Sequence, residues 1–199
     1  MGKIFYIMGK SSSGKDTIYK RLLENPALCL NRIIPYTTRP IREGEHENVE
    51  YHFSTVEELE RLKKEQRIIE CRSYHTIHGI WHYFTVKDSQ ITLENKDFLT
   101  IGTLQSYQKT RDYFGADWVL PIYIEVEDGE RLFRALLRER AQKHPKYEEL
   151  CRRFLADSQD FSTQNLAQAG IYSFFYNHQL EECIREIERF ITQNREAAH

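Results

Sequence analysis

The chain has 199 residues, 40% of them hydrophobic, so it can bury one good core and favours a single domain over two unrelated ones. Its 28 basic and 30 acidic residues leave a net charge of -2, which excludes a global attraction to nucleic acid or an anionic membrane and requires that any anionic ligand be held locally. The four cysteines form no Cys-x-x-Cys pair and no apolar stretch approaches membrane-spanning length, so we expect free thiols, no targeting segment and a cytoplasmic location.

The amino-terminal segment predicts a strand, a phosphate-binding loop and a helix in succession. Residues 3–8 are apolar and rich in β-forming types, residues 9–14 are a Gly/Ser loop, and the apolar residues that follow have helical spacing. The pattern of Gly, four residues and Gly-Lys matches a P-loop. Such glycines let the backbone turn tightly, so that successive N–H groups cradle phosphate oxygens, and the lysine can reach the transferring phosphoryl group. The predicted phosphate site is Gly9, Ser11, Ser12, Ser13, Gly14, Lys15, Asp16 and Thr17.

Strands and helices alternate along the rest of the chain. Two prolines and a glycine make residues 35–45 a shaped loop. Period-2 or continuous apolar runs predict strands at 32–34, 49–53, 67–71, within 72–86, and at 98–101, 118–126 and 171–175. Helical spacing predicts helices at 56–65, 104–114, from about 129 to the charged segment 138–145, and at 147–160 and 180–193. This alternation predicts an α/β fold, with a central parallel sheet flanked by helices on both faces.

Two kinds of helix detail follow from residue type. Ser54 and Thr55 with Glu57 and Glu58 offer a capping box for the helix at 56–65, and Asp128 can cap the helix that starts near 129. Apolar faces are expected on the helix that starts near 129 and on the helix at 180–193. The residues of these two faces are Leu132, Phe133, Leu136 and Leu137, and Leu180, Ile184, Ile187 and Ile191.

The most specific signal is segment 37–45, Thr-Thr-Arg-Pro-Ile-Arg-Glu-Gly-Glu, together with Glu-Tyr-His-Phe at 50–53. Arg39 and Arg42, three residues apart on a fixed loop, make paired forks suited to a phosphate dianion, and the hydroxyl of Tyr51 adds a neutral donor. The combined pattern resembles the nucleotide-monophosphate lobe of guanylate kinases. The resemblance extends over nearly the whole chain.

The resemblance implies a P-loop kinase fold and transfer of the γ-phosphoryl group of ATP to GMP, with Mg²⁺ as cofactor. It divides a single domain, 1–199, into a core (1–32, 86–126 and 158–199), an acceptor-binding lobe (33–85) and a lid (127–157).

The resemblance also implies residue roles. The P-loop residues and Asn177, which stands where the family has an Asn-Asp pair beside the adenine, would bind ATP. Within the GMP site, Glu70 and Thr85 would read the base, because a buried carboxylate suits the adjacent N1–H and amine donors of guanine. The residues assigned to GMP are Arg39, Arg42, Glu45, Tyr51, Glu70, Tyr83 and Thr85, of which Glu45 would steady the arginines. The catalytic residues would be Lys15, Arg140 and Arg153, with Arg138 and Arg152 as close rivals for the lid.

Four features depart from the family pattern. Pro35 stands where guanylate kinases carry a hydroxyl that helps recognise guanine. The spacing between Glu70 and Tyr83 is longer than in the family. The strand end at 100–102 reads Thr-Ile-Gly instead of Asp-x-Asp, and Asp16 replaces the usual Ser or Thr after the P-loop lysine.

These departures leave alternatives open. One hypothesis is that Asp16, with Thr17 as an auxiliary oxygen, supplies the magnesium-linked charge missing from the strand end; the other is that Asp16 caps the first helix. The Gly-Lys-Asp sequence and the glycine at 102 also resemble the ribose 1,5-bisphosphate phosphokinases, although those lack the acceptor signature. A third alternative is a non-catalytic, guanylate-kinase-like binding module, against which the intact loop argues.

Overall fold

The computed structural model describes residues 2–76, 79–94 and 96–196. Its helices are α1 (Lys15–Glu24), α2 (Val56–Lys64), α3 (Leu104–Phe114), α4 (Asp128–Arg140), α5 (Tyr147–Asp160), α6 (Thr163–Gln168) and α7 (Leu180–Glu196), with a short 3-10 helix at Pro26–Leu28. Its strands are β1 (Ile4–Met8), β2 (Asn31–Arg32), β3 (Tyr36–Thr37), β4 (His52–Phe53), β5 (Ile68–Thr76), β6 (Gly79–Val86), β7 (Phe98–Ile101), β8 (Val119–Glu125) and β9 (Phe174–Tyr176).

The central sheet has the strand order β2-β7-β1-β8-β9, and each neighbouring pair is parallel. All five residues of β1 are buried, as expected for a strand covered on both faces. On one face Phe5 and Ile7 pack with α1 and α7, and on the other Tyr6 packs with α3 and α6. The predicted α/β fold with a parallel sheet between helices is therefore confirmed.

A second sheet has the order β4-β3-β6-β5 and carries the arginine-rich segment 37–45. Strands β5 and β6 pair antiparallel, and α2 covers the sheet through Leu59 and Leu62, which pack on Phe84 and Val86. The predicted cap of α2 is present, because the hydroxyl of Thr55 accepts a hydrogen bond from the backbone N–H of Glu58 at 3.2 Å.

Several predicted strand boundaries were wrong. A strand ends where its hydrogen-bonded pairing ends, and not where the local apolar pattern ends. The strand predicted at 32–34 is Asn31–Arg32, that at 49–53 is His52–Phe53, and that at 171–175 is Phe174–Tyr176. The short strand β3 and the helix α6 had no prediction. In each strand case the hydrogen-bonded partner, β7, β3 or β8, covers only part of the apolar run.

Helix α4 differs most from expectation. Glu127, and not Asp128, caps it, by accepting a hydrogen bond from the N–H of Glu130. The buried residues of α4 are Arg131 and Ala135, because that side of the helix lies against the phosphate loop and α5. The apolar face expected to be buried is exposed instead, at Leu132, Phe133, Leu136 and Leu137.

Two sequence-based expectations concern the chain as a whole. All four cysteines are free thiols, as predicted. Among the residues that the structure describes, none of the helices is long and apolar enough to span a membrane.

Candidate active site

The phosphate loop joins β1 to α1, in the predicted order of strand, loop and helix. Gly14 precedes α1 with φ 85°, a left-handed conformation, and a Cβ at this position would collide with the side-chain amide of Asn177. A Cβ at Gly9 would lie 2.6 Å from the carbonyl oxygen of Ile124 in β8. Gly14 is therefore required by its conformation. Both glycines are also required because a neighbouring strand or side chain comes too close for a Cβ. The loop leaves the N-terminus of α1, with Lys15, at the mouth of a cleft.

Three side chains from distant parts of the chain hold this loop in shape. The Nδ2 of Asn177 donates to the Ser13 carbonyl oxygen at 2.8 Å, and Nη1 of Arg131 donates to the Ser11 carbonyl oxygen at 3.1 Å. Lys10 bonds to Asp128 at 3.1 Å. Asn177 is only 4% exposed, so the structure places it under the loop as a brace. Its predicted contact with adenine stays a prediction.

A carboxylate of α5 contacts the loop as well. The backbone N–H of Ser11 donates to Oδ2 of Asp157, on α5, over 2.6 Å. Arg131 lies 3.7 Å from the same oxygen. Because P-loop N–H groups are the ones that cradle phosphate, the carboxylate of Asp157 takes a position that an anionic ligand could use.

The arginines predicted for a lid do not all face the loop. Nη2 of Arg153 donates to the hydroxyl of Ser11, and Nη2 of Arg138 to the hydroxyl of Ser12, both at 3.2 Å. Arg140, at the end of α4, is exposed and makes no hydrogen bond or ion pair with the described residues. The structure thus brings Arg153 to the loop, and it brings the rival Arg138 there in place of Arg140, because residues two apart on a helix point to different sides.

The arginine-rich segment 37–45 together with residues 50–53, here called the acceptor motif, contains a compact ion-pair cluster. Arg39, only 3% exposed, donates through both terminal nitrogens to Glu45, at 2.7 and 2.5 Å, and through Nε to the hydroxyl of Tyr83 at 3.2 Å. Its guanidinium lies 5.1 Å from the ring centre of Tyr51. The hydrogen bond from Arg39 holds the pKa of Glu45 below its usual value. Glu45 also accepts from the backbone N–H of Arg42, whose side chain is exposed.

The two residues predicted to bind the base are hydrogen-bonded to each other, and one of them is also bonded to a further arginine. Glu70 is buried, and its Oε1 accepts from the hydroxyl of Thr85 at 2.9 Å. Nε and Nη2 of Arg72 donate to the two oxygens of Glu70 at 3.0 and 3.4 Å. Sequence reasoning missed Arg72. The signal that could have found it is its spacing, because residues two apart on a strand share a face.

The phosphate loop, the second sheet and α5 meet at one cleft of about 560 Å³, but Arg39, Arg42 and Glu45 are not among the described residues that line it. The loop contributes Gly9, Ser11, Lys15 and Asp16; the second sheet and its loops contribute Tyr51, Arg72 and Tyr83; and α5 contributes Arg152, Arg153 and Asp157. Glu70 and Thr85 are not among the described residues that line it.

The structure shows the surroundings of Asp16 and Gly102, two positions at which the sequence departs from the family pattern. The N-cap of α1 is Gly14, so the alternative that Asp16 caps the helix is wrong. The side chain of Asp16 is 82% exposed and lies 3.6 Å from Nζ of Lys15. At Gly102 any side chain would collide with the hydroxyl of Tyr6 and with that of Ser106, which is 2.6 Å from an ideal Cβ. A carboxylate at position 102 would therefore require Tyr6 and Ser106 to shift.

The same geometry shows which side chains could hold a metal ion. Within the described parts of the chain, no group of three or more His, Cys, Asp or Glu side chains could hold a metal ion. Magnesium in kinases needs only one or two carboxylates in addition to substrate phosphates and water. The exposed carboxylate of Asp16 beside Lys15 fits that donor set. Thr17 is exposed and is not among the described residues that line the cleft.

Comparisons with known proteins agree with this geometry. The family model described as guanylate kinase matches residues 1–194. A guanylate kinase of Mesorhizobium japonicum is 30% identical over 142 residues, covering 71% of this chain and 62% of that protein. One of Brucella melitensis biotype 1 is 40% identical over 74 residues, covering 37% of this chain and 34% of that protein. The matches thus span less than two thirds of these relatives.

A solved structure is similar in fold. The crystal structure of guanylate kinase from Anaplasma phagocytophilum superposes with a TM-score of 0.64 over 96% of this chain and 85% of that chain, at 23% identity. The fold is therefore shared with that protein, and the family match covers nearly all of the sequence. The chain belongs to the guanylate kinase family.

Proposed function

We propose that this chain transfers the γ-phosphoryl group of ATP to GMP, giving ADP and GDP. The observation that carries the proposal is one cleft lined by the P-loop, by Tyr51 of the acceptor motif with Tyr83, and by Arg152 and Arg153 of α5. In this reaction an oxygen of the GMP phosphate forms the new bond to the γ-phosphorus, and the bond to the bridging oxygen of ADP breaks. Such a step needs positioning and charge neutralisation more than covalent chemistry.

The proposed roles follow from contacts with the phosphate loop, from the acceptor motif and from the residues that line the cleft. Lys15, Arg138 and Arg153 would neutralise charge on the migrating phosphoryl group, since all three lie at the phosphate loop. The acceptor phosphate would be held by Arg39 and Arg42 with the hydroxyls of Tyr51 and Tyr83, and Glu45 would fix the arginine pair. Asn177 would serve the ATP site through the loop that it braces.

We also propose that the chain works as one domain with a core, an acceptor lobe at 33–85 and a lid at 127–157. Both substrates would enter between these parts, and closure would exclude water that otherwise hydrolyses ATP. Free cysteines favour a reducing compartment, so we propose a cytoplasmic location.

Magnesium is the proposed cofactor, with the carboxylate of Asp16 as its protein ligand, directly or through water. When bound, the ion would neutralise charge on the phosphates of ATP. The test is the magnesium dependence of ATP binding and turnover in Asp16→Ser. We expect a higher magnesium requirement in both measurements. Unchanged metal affinity and activity would remove Asp16 from the site.

The reaction itself is tested by ATP turnover with a panel of phosphate acceptors. We expect stimulation by GMP and loss of activity in Lys15→Ala, while Lys20→Ala, an exposed lysine on the same helix, retains activity. Stimulation by a ribose phosphate instead of GMP would indicate a sugar phosphate kinase, and stimulation by no acceptor would indicate a binding module. Full activity in Lys15→Ala would overturn the mechanism.

A further inference from the structure

Arg72 lies between the buried carboxylate of Glu70 and the cleft. Both residues belong to β5 and share a face of the sheet. The side chain of Glu70 is 1% exposed and that of Arg72 is 11% exposed. Arg72 lines the cleft, whereas Glu70 is absent from the described residues that do so. The group that meets a ligand at this wall is therefore a guanidinium and not a carboxylate.

Glu70 is already satisfied by its protein partners. Its Oε1 accepts from the hydroxyl of Thr85 at 2.9 Å and from Nη2 of Arg72 at 3.4 Å, and its Oε2 accepts from Nε of Arg72 at 3.0 Å. The N1–H and 2-amine of guanine would need two acceptor sites on Glu70, whereas these three bonds leave one of about four, so binding both groups would displace a bond from Arg72 or Thr85. Breaking a buried pair in this way is costly.

The guanidinium of Arg72 is fixed in orientation and has donors to spare. Two of its N–H groups go to Glu70, and Nη1 donates to the hydroxyl of Thr103 at 3.3 Å. An arginine has five N–H groups, so two remain for a ligand. Burial lowers the pKa of Arg72, but the charge of Glu70, the electrostatic effects of Tyr6 and Tyr74 and the hydrogen bond to Glu70 together outweigh it, so the pKa is raised.

Six other charged residues line the cleft, and among the described contacts none of them is hydrogen-bonded or ion-paired to Arg72; they are Lys15, Asp16, Arg152, Arg153, Asp157 and Asp160. The strand end at 100–102 has no carboxylate, and Pro35, which also lines the cleft, offers no donor. Guanine presents O6 and N7 as adjacent acceptors, an edge that arginine binds with two parallel hydrogen bonds. Adenine has an amine, which is a donor, in the place of O6.

We propose that Arg72 is the specificity-determining residue of the acceptor site and reads the O6 and N7 edge of guanine, with Glu70 holding it in place. This inference rests on the proposed phosphorylation of GMP. Recognition by Arg72 and recognition by Glu70 depend on different atoms of the base. Arg72 requires O6 and N7, whereas a carboxylate requires N1–H and the 2-amine.

The test compares GMP, IMP and AMP as acceptors for the wild-type chain. IMP keeps O6 and N7 but lacks the 2-amine. We expect kcat/KM for IMP to lie within about tenfold of that for GMP, and kcat/KM for AMP to be about 100-fold lower than for GMP. This measurement needs no variant, so it does not depend on whether a substituted protein folds.

Variants then assign the effect to the arginine. Arg72→Ala should lower kcat/KM for GMP and IMP by about 10- to 100-fold, chiefly through KM, and leave KM for ATP unchanged. Arg72→Lys should recover little, because an ammonium lacks the fork. Arg67→Ala, which removes an exposed arginine outside the cleft, is the control.

Failure of the inference and failure of the function give different results. If the wild type phosphorylates GMP but uses IMP more than about 100-fold less well, and Arg72→Ala keeps the GMP-to-AMP ratio, Glu70 reads the base and Arg72 is only its structural partner. If the wild type phosphorylates none of the three nucleotides, the proposed function is wrong and the inference falls with it.

Discussion

Replacing Asn177 with alanine removes the side-chain amide that holds the phosphate loop. In the wild type its Nδ2 donates to the carbonyl oxygen of Ser13 over 2.8 Å, and both residues are buried. Truncation leaves that carbonyl without its partner, which costs about 1–3 kcal/mol. For a chain of 199 residues this corresponds to a fall in Tm of about 2–12 °C.

The assay is thermal unfolding without nucleotide, followed by steady-state kinetics. We expect Asn177→Ala to raise KM for ATP and leave KM for GMP unchanged, because the N–H groups of the loop lose their orientation while the acceptor lobe is untouched. Asn177→Asp keeps the shape but turns an acceptor toward the Ser13 carbonyl, so it should be at least as damaging. His178→Ala is the matched control, since this neighbouring side chain is exposed.

The competing idea is that Asn177 contacts adenine. In that case Asn177→Ala would leave the Tm of the nucleotide-free chain unchanged and would alter the preference for ATP over GTP as donor. An unchanged Tm together with an unchanged KM for ATP would refute the reasoning from the loop geometry.

Other predictions follow from the same contacts. Asp157→Asn should tighten ATP binding severalfold, measured by calorimetric titration, because the carboxylate on the N–H of Ser11 competes with phosphate; weaker or equal binding would contradict this. Arg131→Met should lower the free energy of unfolding by about 1–3 kcal/mol in denaturant titration, since the Ser11 carbonyl loses its donor. Glu45→Gln should raise KM for GMP, because the fork on Arg39 is lost. The pKa of Glu45 is held below its usual 4.5, so its pair with Arg39 stabilises the fold above that pH and is lost as the pH falls further. The Tm difference between Glu45→Gln and wild type should therefore shrink as the pH falls below 4.5.

Features set by short-range pattern could be predicted from the sequence. The limits of α3 and α5 agree with the predicted 104–114 and 147–160, because helical spacing and caps act within a few residues. The phosphate loop follows from the glycines and lysine alone, and the acceptor motif follows from its dense arginine pattern. Strand ends were less accurate, because the partner strand decides where pairing stops.

Side-chain partners far apart in sequence could not be predicted. Asn177 braces a residue 164 positions away, and Asp157 meets a loop 146 positions away. Which of the lid arginines reaches the loop depends on how α4 is rotated about its own axis. That rotation buries Arg131 and leaves four apolar side chains exposed, against the expectation from their spacing.

By itself, therefore, the sequence determined that the chain is a P-loop α/β protein with a phosphate cradle and an arginine-rich acceptor motif, since these depend on local backbone conformation and residue type. Only the tertiary structure decided which groups face the cleft and which reach the phosphate loop. It placed Arg72 in front of Glu70 and Arg138 in place of Arg140, and left no room for a side chain at Gly102. The physical reason is that strand register, helix rotation and packing volume are set by the whole fold.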